Sequence, residues 1–128
     1  MKPGEQLVTA LYVHDIAKSR RFYESLGFKV NRQDRNFMEL EWEGSLLFLV
    51  EMHDAPASWE RPAGNLRVLV PDVDAHWDRC LRLGLEITRP IETRDYGLRD
   101  FTVAGPDGLH IRFASFVGGK FPMEEATS

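Results

Sequence analysis

The stretch LGFKVNR at residues 26–32 returns as LGLEITR at residues 83–89, an offset of 57 from Leu26 to Leu83. A chain of 128 residues that says nearly the same thing twice is constrained to a fold of two like halves. The same offset sets Val13 on Val70, Asp15 on Asp72, Ile16 on Val73, Val30 on Ile87 and Arg32 on Arg89. The matches fall on capping and apolar positions, which are the positions a structural repeat retains.

Each copy carries the same local physics. Residues 7–13, LVTALYV, are β-prone and mostly apolar. Asp15 is placed to cap a helix by accepting a backbone N–H. Ile16, Phe22, Tyr23 and Leu26 then recur at helical spacing, and Gly27 supplies a left-handed stop. In the second copy Leu66, Val68 and Val70 alternate on a strand, and Asp72 is the expected cap, with Asp74 as its competitor. Val73, Trp77, Cys80 and Leu81 form the expected buried stripe, ended by Gly84. Two strand pairs follow. FMELEW and LLFLV flank EGS, and DFTVA and LHIRF flank GPDG, where Asp-Gly marks a turn. Aligning Gly44 on Gly108 raises the offset to 64, because the second copy has a longer loop around IETRDYG. The chain therefore reads as strand-helix-strand-strand-strand, twice: an α+β fold. The modules cover about 5–52 and 64–116 within one domain, 1–116. Residues 53–63 are a polar, proline-rich linker, and 117–128 are expected to be a flexible tail.

The composition narrows the function classes. A hydrophobic fraction of 43% and a charged fraction of 28% suit an ordinary soluble domain. The net charge of −4, with no Lys/Arg run, argues against nucleic acid and anionic membrane as partners. The longest apolar run, LLFLV, is too short to span a bilayer. MKPGEQ has no apolar core of a secretory signal, and Cys80 is the single cysteine. A cytoplasmic location is the default expectation.

Three stretches carry a resemblance to a known family: VHDIAKSRRFYESLGF, NLRVLVPDVDAHWDRC and YGLRDFTVAGPDGLHIRF. They span most of residues 8–116, and the chain resembles the vicinal oxygen chelate superfamily. That group holds glyoxalase I, extradiol dioxygenases, fosfomycin-resistance enzymes and bleomycin-resistance proteins. The stretch YGLRDF through PDG looks most like the bleomycin-resistance branch. The resemblance implies two paired βαβββ modules forming a curled mixed sheet around a cleft, where metal and substrate sit. It also implies a homodimer.

Strand alternation assigns faces. Leu7, Leu11 and Val13 pack inward on the first strand, and Leu109, Ile111 and Phe113 on the last. Val8, Phe48, Asn65, His110 and Arg112 then face the implied cleft. The resemblance places the four metal-ligand positions of metal-dependent members at Val8, Phe48, Asn65 and Arg112. The two offsets agree, 57 from Val8 to Asn65 and 64 from Phe48 to Arg112. Two hydrocarbons, an amide and a guanidinium are not a divalent-cation donor set, so no metal and no cofactor are expected. An atypical site through His110 with Glu39 or Glu41 is the alternative.

The expected function is a metal-free small-molecule-binding protein that sequesters an antibiotic or other toxic ligand. The alternative is an enzyme of lyase, isomerase or dioxygenase type using atypical or no metal ligands. Trp59, in the linker, is a candidate lid, and Tyr96 and Arg99 are candidates for the cleft mouth. Arg112 has two readings: a ligand contact, or a partner of Asp100 or of a third-strand Glu. His14, His53 and His76 are expected to be solvated.

Overall fold

Asp15 and Asp72 each stop a strand and start a helix, and the halves of the molecule grow from these two points. The computed structural model describes residues 7–117, and the chain divides into two units, Met1–Arg61 and Pro62–Ser128. Most of the tail expected at 117–128 lies outside the described residues. Among the described residues no helix is long and apolar enough to cross a membrane.

The first unit runs β1 (Thr9–Val13), α1 (Ile16–Leu26), β2 (Lys29–Gln33), β3 (Phe37–Trp42) and β4 (Ser45–Glu51). Asp15 accepts from the Lys18 amide at 3.1 Å. Gly27 closes α1 at φ 114°, a conformation costly for any residue with a Cβ. The sheet order is β1-β4-β3-β2, with β1 parallel to β4 and the other pairs antiparallel. Trp42 pairs with Ser45 across a two-residue turn in which Glu43 and Gly44 both have positive φ, 46° and 86°. That is the turn geometry matched to the twist of a hairpin. Tyr23, Leu26, Met38, Leu40 and Leu49 fill the core between α1 and the sheet, with Tyr23 edge-on to Phe28 at 5.3 Å.

The second unit repeats the order: β5 (Gly64–Leu69), α2 (Val73–Arg82), β6 (Ile87–Thr93), β7 (Leu98–Ala104) and β8 (Leu109–Phe116). The sheet order is β5-β8-β7-β6, with β5 parallel to β8 and the rest antiparallel. Asp72, not Asp74, caps α2 by accepting from the Ala75 amide at 3.2 Å. Asp74 is instead held by Arg99 of β7. The two units are therefore both βαβββ, an α+β architecture, and their registers preserve the repeat. Thr9 pairs with Leu47, 38 residues on, and Gly64 with Leu109, 45 residues on. The excess of seven is the same step that separates the offsets 57 and 64 in the sequence.

Three expectations about packing fail. Leu7, expected to pack inward, is 90% exposed, because β1 begins only at Thr9. Leu81 is 50% exposed. The α2 stripe is set by Val73 and Cys80, both buried, and Leu81 follows Cys80 by one residue, about 100° round the helix. His76, expected to be solvated, is part-buried. Its ring stacks on Phe113 at 5.0 Å and 11°, and burial, aided by the nearby Arg79 charge, pushes its pKa down. Phe113 in turn stacks on Phe101 at 5.5 Å, and Trp77 meets Phe101 edge-on at 5.2 Å. The two fully buried rings, Phe101 and Phe113, each contribute on the order of 1.5–3 kcal/mol by removal of apolar area from water.

Candidate functional site

Residues paired across neighbouring strands project to the same side of a sheet. On the side of the second sheet away from Phe101, Val103, Ile111 and Phe113, the registers line up three rows. The middle row is Arg67, Arg112, Thr102 and Arg89, one residue from each of β5, β8, β7 and β6. To one side run Leu69, Ala114, Asp100 and Glu92. To the other run Asn65, His110 and Ala104. A row with three arginines therefore lies between a row holding carboxylates and the row of Asn65, His110 and Ala104.

Asp100 gathers the arginines on its side. Its side chain is 0% exposed. Arg94 donates through Nε to Oδ1 at 2.9 Å, and Arg112 through Nε to Oδ2 at 3.0 Å. Arg112 Nη2 donates to the same Oδ2 and to the Tyr96 hydroxyl, the latter at 2.5 Å. The Tyr96 hydroxyl donates to Asp100 Oδ2 at 3.4 Å. Arg94 is completed by Glu92 through Nη1 and by the Pro90 carbonyl through Nη2 at 3.1 Å. Burial alone would raise the Asp100 carboxyl, but the hydrogen bonds and charges of Arg112 and Arg94 outweigh it and hold its pKa below the ordinary value. Burial likewise opposes the Arg112 charge, and Asp100 restores it and raises its pKa.

Beside this network, toward the row of Asn65 and His110, lies a pocket of about 190 Å³ lined by Asn65, Arg89, Thr102, His110 and Arg112, with Pro62 and, at the start of β5, Gly64. Three residues singled out in the sequence meet here: Asn65, His110 and Arg112. Tyr96 joins them only through the guanidinium of Arg112 and the carboxylate of Asp100. His110 places Nδ1 at 3.4 Å from the Thr88 hydroxyl. Of the two readings of Arg112, pairing with Asp100 is the arrangement found, and 13% of its side chain stays exposed, enough to line the pocket as well.

The remaining candidates lie elsewhere. Arg99 is on the opposite, helix-bearing side of the sheet, where Nη2 and Nε donate to the Asp74 carboxylate at 2.9–3.3 Å. Tyr96 instead reaches Asp100, the next residue on β7, which projects to the opposite face from Arg99. Phe48 belongs to the first unit, on the side of its sheet away from Leu47 and Leu49, with its ring against Phe37 at 5.1 Å. Val8 is part-buried just ahead of β1. Trp59 is 46% exposed in the segment between β4 and β5. Cys80 is buried, and burial pushes its thiol up to about 11, partly countered by Arg79.

Arg89, Arg94 and Thr102 were not singled out in the sequence. Thr102 was within reach of the alternation rule, since it pairs with Arg112. Arg89 was not, because β6 carries register shifts on both sides of it.

The metal positions implied by the family do not fit a metal here. Val8 and Phe48 have no donor atoms, and Arg112 brings a cation bound to its own carboxylate. Among the described residues no group of three or more His, Cys, Asp or Glu is placed to hold an ion. The alternative donors Glu39 and Glu41 both accept from Asn31 Nδ2, at 3.0 and 3.1 Å, and Glu39 also pairs with Arg32.

Comparison with known proteins agrees with this architecture. The Glyoxalase/Bleomycin resistance protein/Dioxygenase superfamily profile matches residues 6–113. A glyoxalase/bleomycin resistance protein/dioxygenase from Nocardioides superposes with a TM-score of 0.75 at 18% identity, over 95% of this chain and 89% of that one. A bleomycin-binding protein complexed with bleomycin gives 0.66 at 22%, over 87% and 98%. Lactoylglutathione lyase from Agrobacterium tumefaciens gives 0.69 at 18%, over 89% and 96%. At these identities the likenesses speak for fold alone. No curated protein sequence matches the chain. The chain belongs to the glyoxalase/bleomycin resistance protein/dioxygenase superfamily, on the strength of the profile match across both modules.

Proposed function

We propose that the protein binds a small molecule without a resident metal and sequesters it, in the manner implied by its resemblance to the bleomycin-resistance branch. The observation that carries this reading is Arg112. At a position where metal-dependent members are expected to place a ligand, it extends a guanidinium locked to Asp100. A cation in that place opposes a second cation, and the other three positions implied by the resemblance hold an amide, Asn65, and two hydrocarbons, Val8 and Phe48. The superfamily holds binding proteins as well as enzymes, and one structural neighbour was solved with bleomycin bound. The pocket beside Arg112 is a further support, since convergent polar groups in a concavity are the usual form of a ligand site.

Homodimerisation is part of the same reading. Twofold pairing is the commonest oligomer type, and the family implies it. Sedimentation at micromolar concentration checks it, and a mass near the 14.7 kDa of one chain would reject it.

Native mass spectrometry of untagged protein against a small-molecule library, run beside elemental analysis, tests the main proposal. The expected result is one or more retained small molecules and less than a tenth of a transition-metal ion per chain after dialysis. Stoichiometric metal would overturn it and return the enzyme reading to first place.

A further inference from the structure

We propose that the pocket on the side of the second sheet away from α2 takes an oxyanion, a carboxylate or phosphate group carried by a small organic ligand. Arg89 and Arg112 are its charge partners, and Asn65, Thr102 and His110 its hydrogen-bond partners. The inference rests on the small-molecule-binding reading and adds to it the sign and chemistry of the ligand.

Charge balance is the first support. Asp100 and Glu92 offset Arg94 and Arg112. Arg67 and Arg89 make no ion pair among the described residues, so this side of the sheet carries excess positive charge in a chain whose net charge is −4. The excess is local and is no consequence of bulk composition.

The register supplies the second. Arg67 lies directly opposite Arg112 on the neighbouring strand. Like charges in that relation cost stability, and an anion bound beside the row relieves the cost. Asp100, one row away, is bonded to Arg112 but makes no ion pair with Arg67.

The lining supplies the third. Arg112 uses Nε and Nη2 in the Asp100–Tyr96 network, and Nη1 is not used there. The pocket contains two guanidinium-bearing residues, an amide, a hydroxyl and an imidazole, and no carboxylate. Guanidinium groups match the oxygens of carboxylate and phosphate geometrically as well as electrically. A volume of about 190 Å³ admits such a group with a few carbons attached.

The test is a titration of ¹⁵N-labelled protein, followed by NMR, with inorganic phosphate and separately with succinate, chloride holding ionic strength constant. The expected result is saturable movement of the Asn65, Thr102 and His110 amides and of Arg89 Nε. Arg89→Gln, a change at an exposed side chain, should weaken that binding tenfold or more without lowering the melting temperature. The stronger of the two titrants identifies the carboxylate or the phosphate as the source. Shifts that grow linearly like those of chloride, or undiminished binding by Arg89→Gln, would overturn the inference. A parallel panel of neutral and cationic compounds separates the two readings. If those bind and the anions do not, the oxyanion assignment falls and small-molecule binding stands. If none binds, both fall.

Discussion

Arg112 Nε lies 3.0 Å from Asp100 Oδ2, and the carboxylate it meets is wholly enclosed. Two strands of one sheet are therefore joined by a charge pair across the side opposite the hydrophobic core. Removing one member of such a pair leaves the other charged and desolvated. The penalty is larger than the net worth of the pair itself.

Arg112→Ala should accordingly destabilise the protein by roughly 3–5 kcal/mol. Arg94 remains to hold Asp100, which places the expected value at the lower end. Thermal melts followed by circular dichroism should show a fall of roughly 10 °C. A shift within a degree or two would mean that water replaces the guanidinium at no cost.

Acid should weaken the same element. The Asp100 carboxyl titrates below its ordinary value in the folded protein because Arg112 and Arg94 hold its charged form against the cost of burial. The unfolded chain therefore binds more protons at pH near 4. The Asp100 contribution is fully present above the ordinary aspartate value of about 3.9 and is lost as pH falls through the lower folded value. Melting temperature should fall steeply below about pH 4, and Asp100→Asn, already less stable, should show a shallower slope. Equal slopes for the two proteins would place the acid sensitivity elsewhere.

Cys80 should be inert in the folded protein. Its thiol is buried and pushed up to about 11, so almost none is thiolate at neutral pH. A chromogenic disulfide reagent at pH 8 should react at a rate limited by unfolding, and at once in urea. Rapid reaction of native protein would show that α2 opens far more readily than its packing implies.

Much of this arrangement was legible in the sequence, and the failures have physical causes. Two βαβββ halves followed from the repeat, because caps and glycines report backbone conformation directly: Asp15, Asp72 and Gly27 do in the structure what their chemistry demands. Strand alternation put Asn65, His110 and Arg112 on one side, and they share a pocket. It could not place Arg89, because bulges around Arg89 and the proline beside it break the two-residue period on which the rule depends. Nor could it choose a partner for Arg112. That choice is made by register, which brings β7 and β8 together so that Asp100 falls one row from Arg112. Leu81 and His76 were misplaced for a simpler reason. A helix of ten residues has two candidate stripes, and only the sheet beneath decides which is covered.

Arg99 offers the sharpest contrast with Arg112. Both are arginines paired with aspartates, and Arg99 even has the better fork, with Nη2 on one Asp74 oxygen and Nε on the other, whereas both Arg112 nitrogens meet a single oxygen of Asp100. Yet the Asp74 side chain is 58% exposed and that of Arg99 36%. Asp74 titrates below its ordinary value through the Arg99 hydrogen bond, but water and salt screen such a pair, and exposed pairs contribute little to stability. Burial, not bond geometry, decides the outcome. Arg99→Ala should therefore lower the melting temperature far less than Arg112→Ala, and the small loss should vanish in about 1 M salt, where the screening length is near 3 Å. The two also differ in face. Arg99 lies on the helix-bearing side and Arg112 on the pocket side, so Arg99→Ala should leave phosphate or succinate binding unchanged. Melts at low and high salt, run beside the NMR titration of both variants, measure all of this together. A loss of anion binding in Arg99→Ala would show that the two sides of the sheet are coupled, and that Arg99 acts on the site through β7.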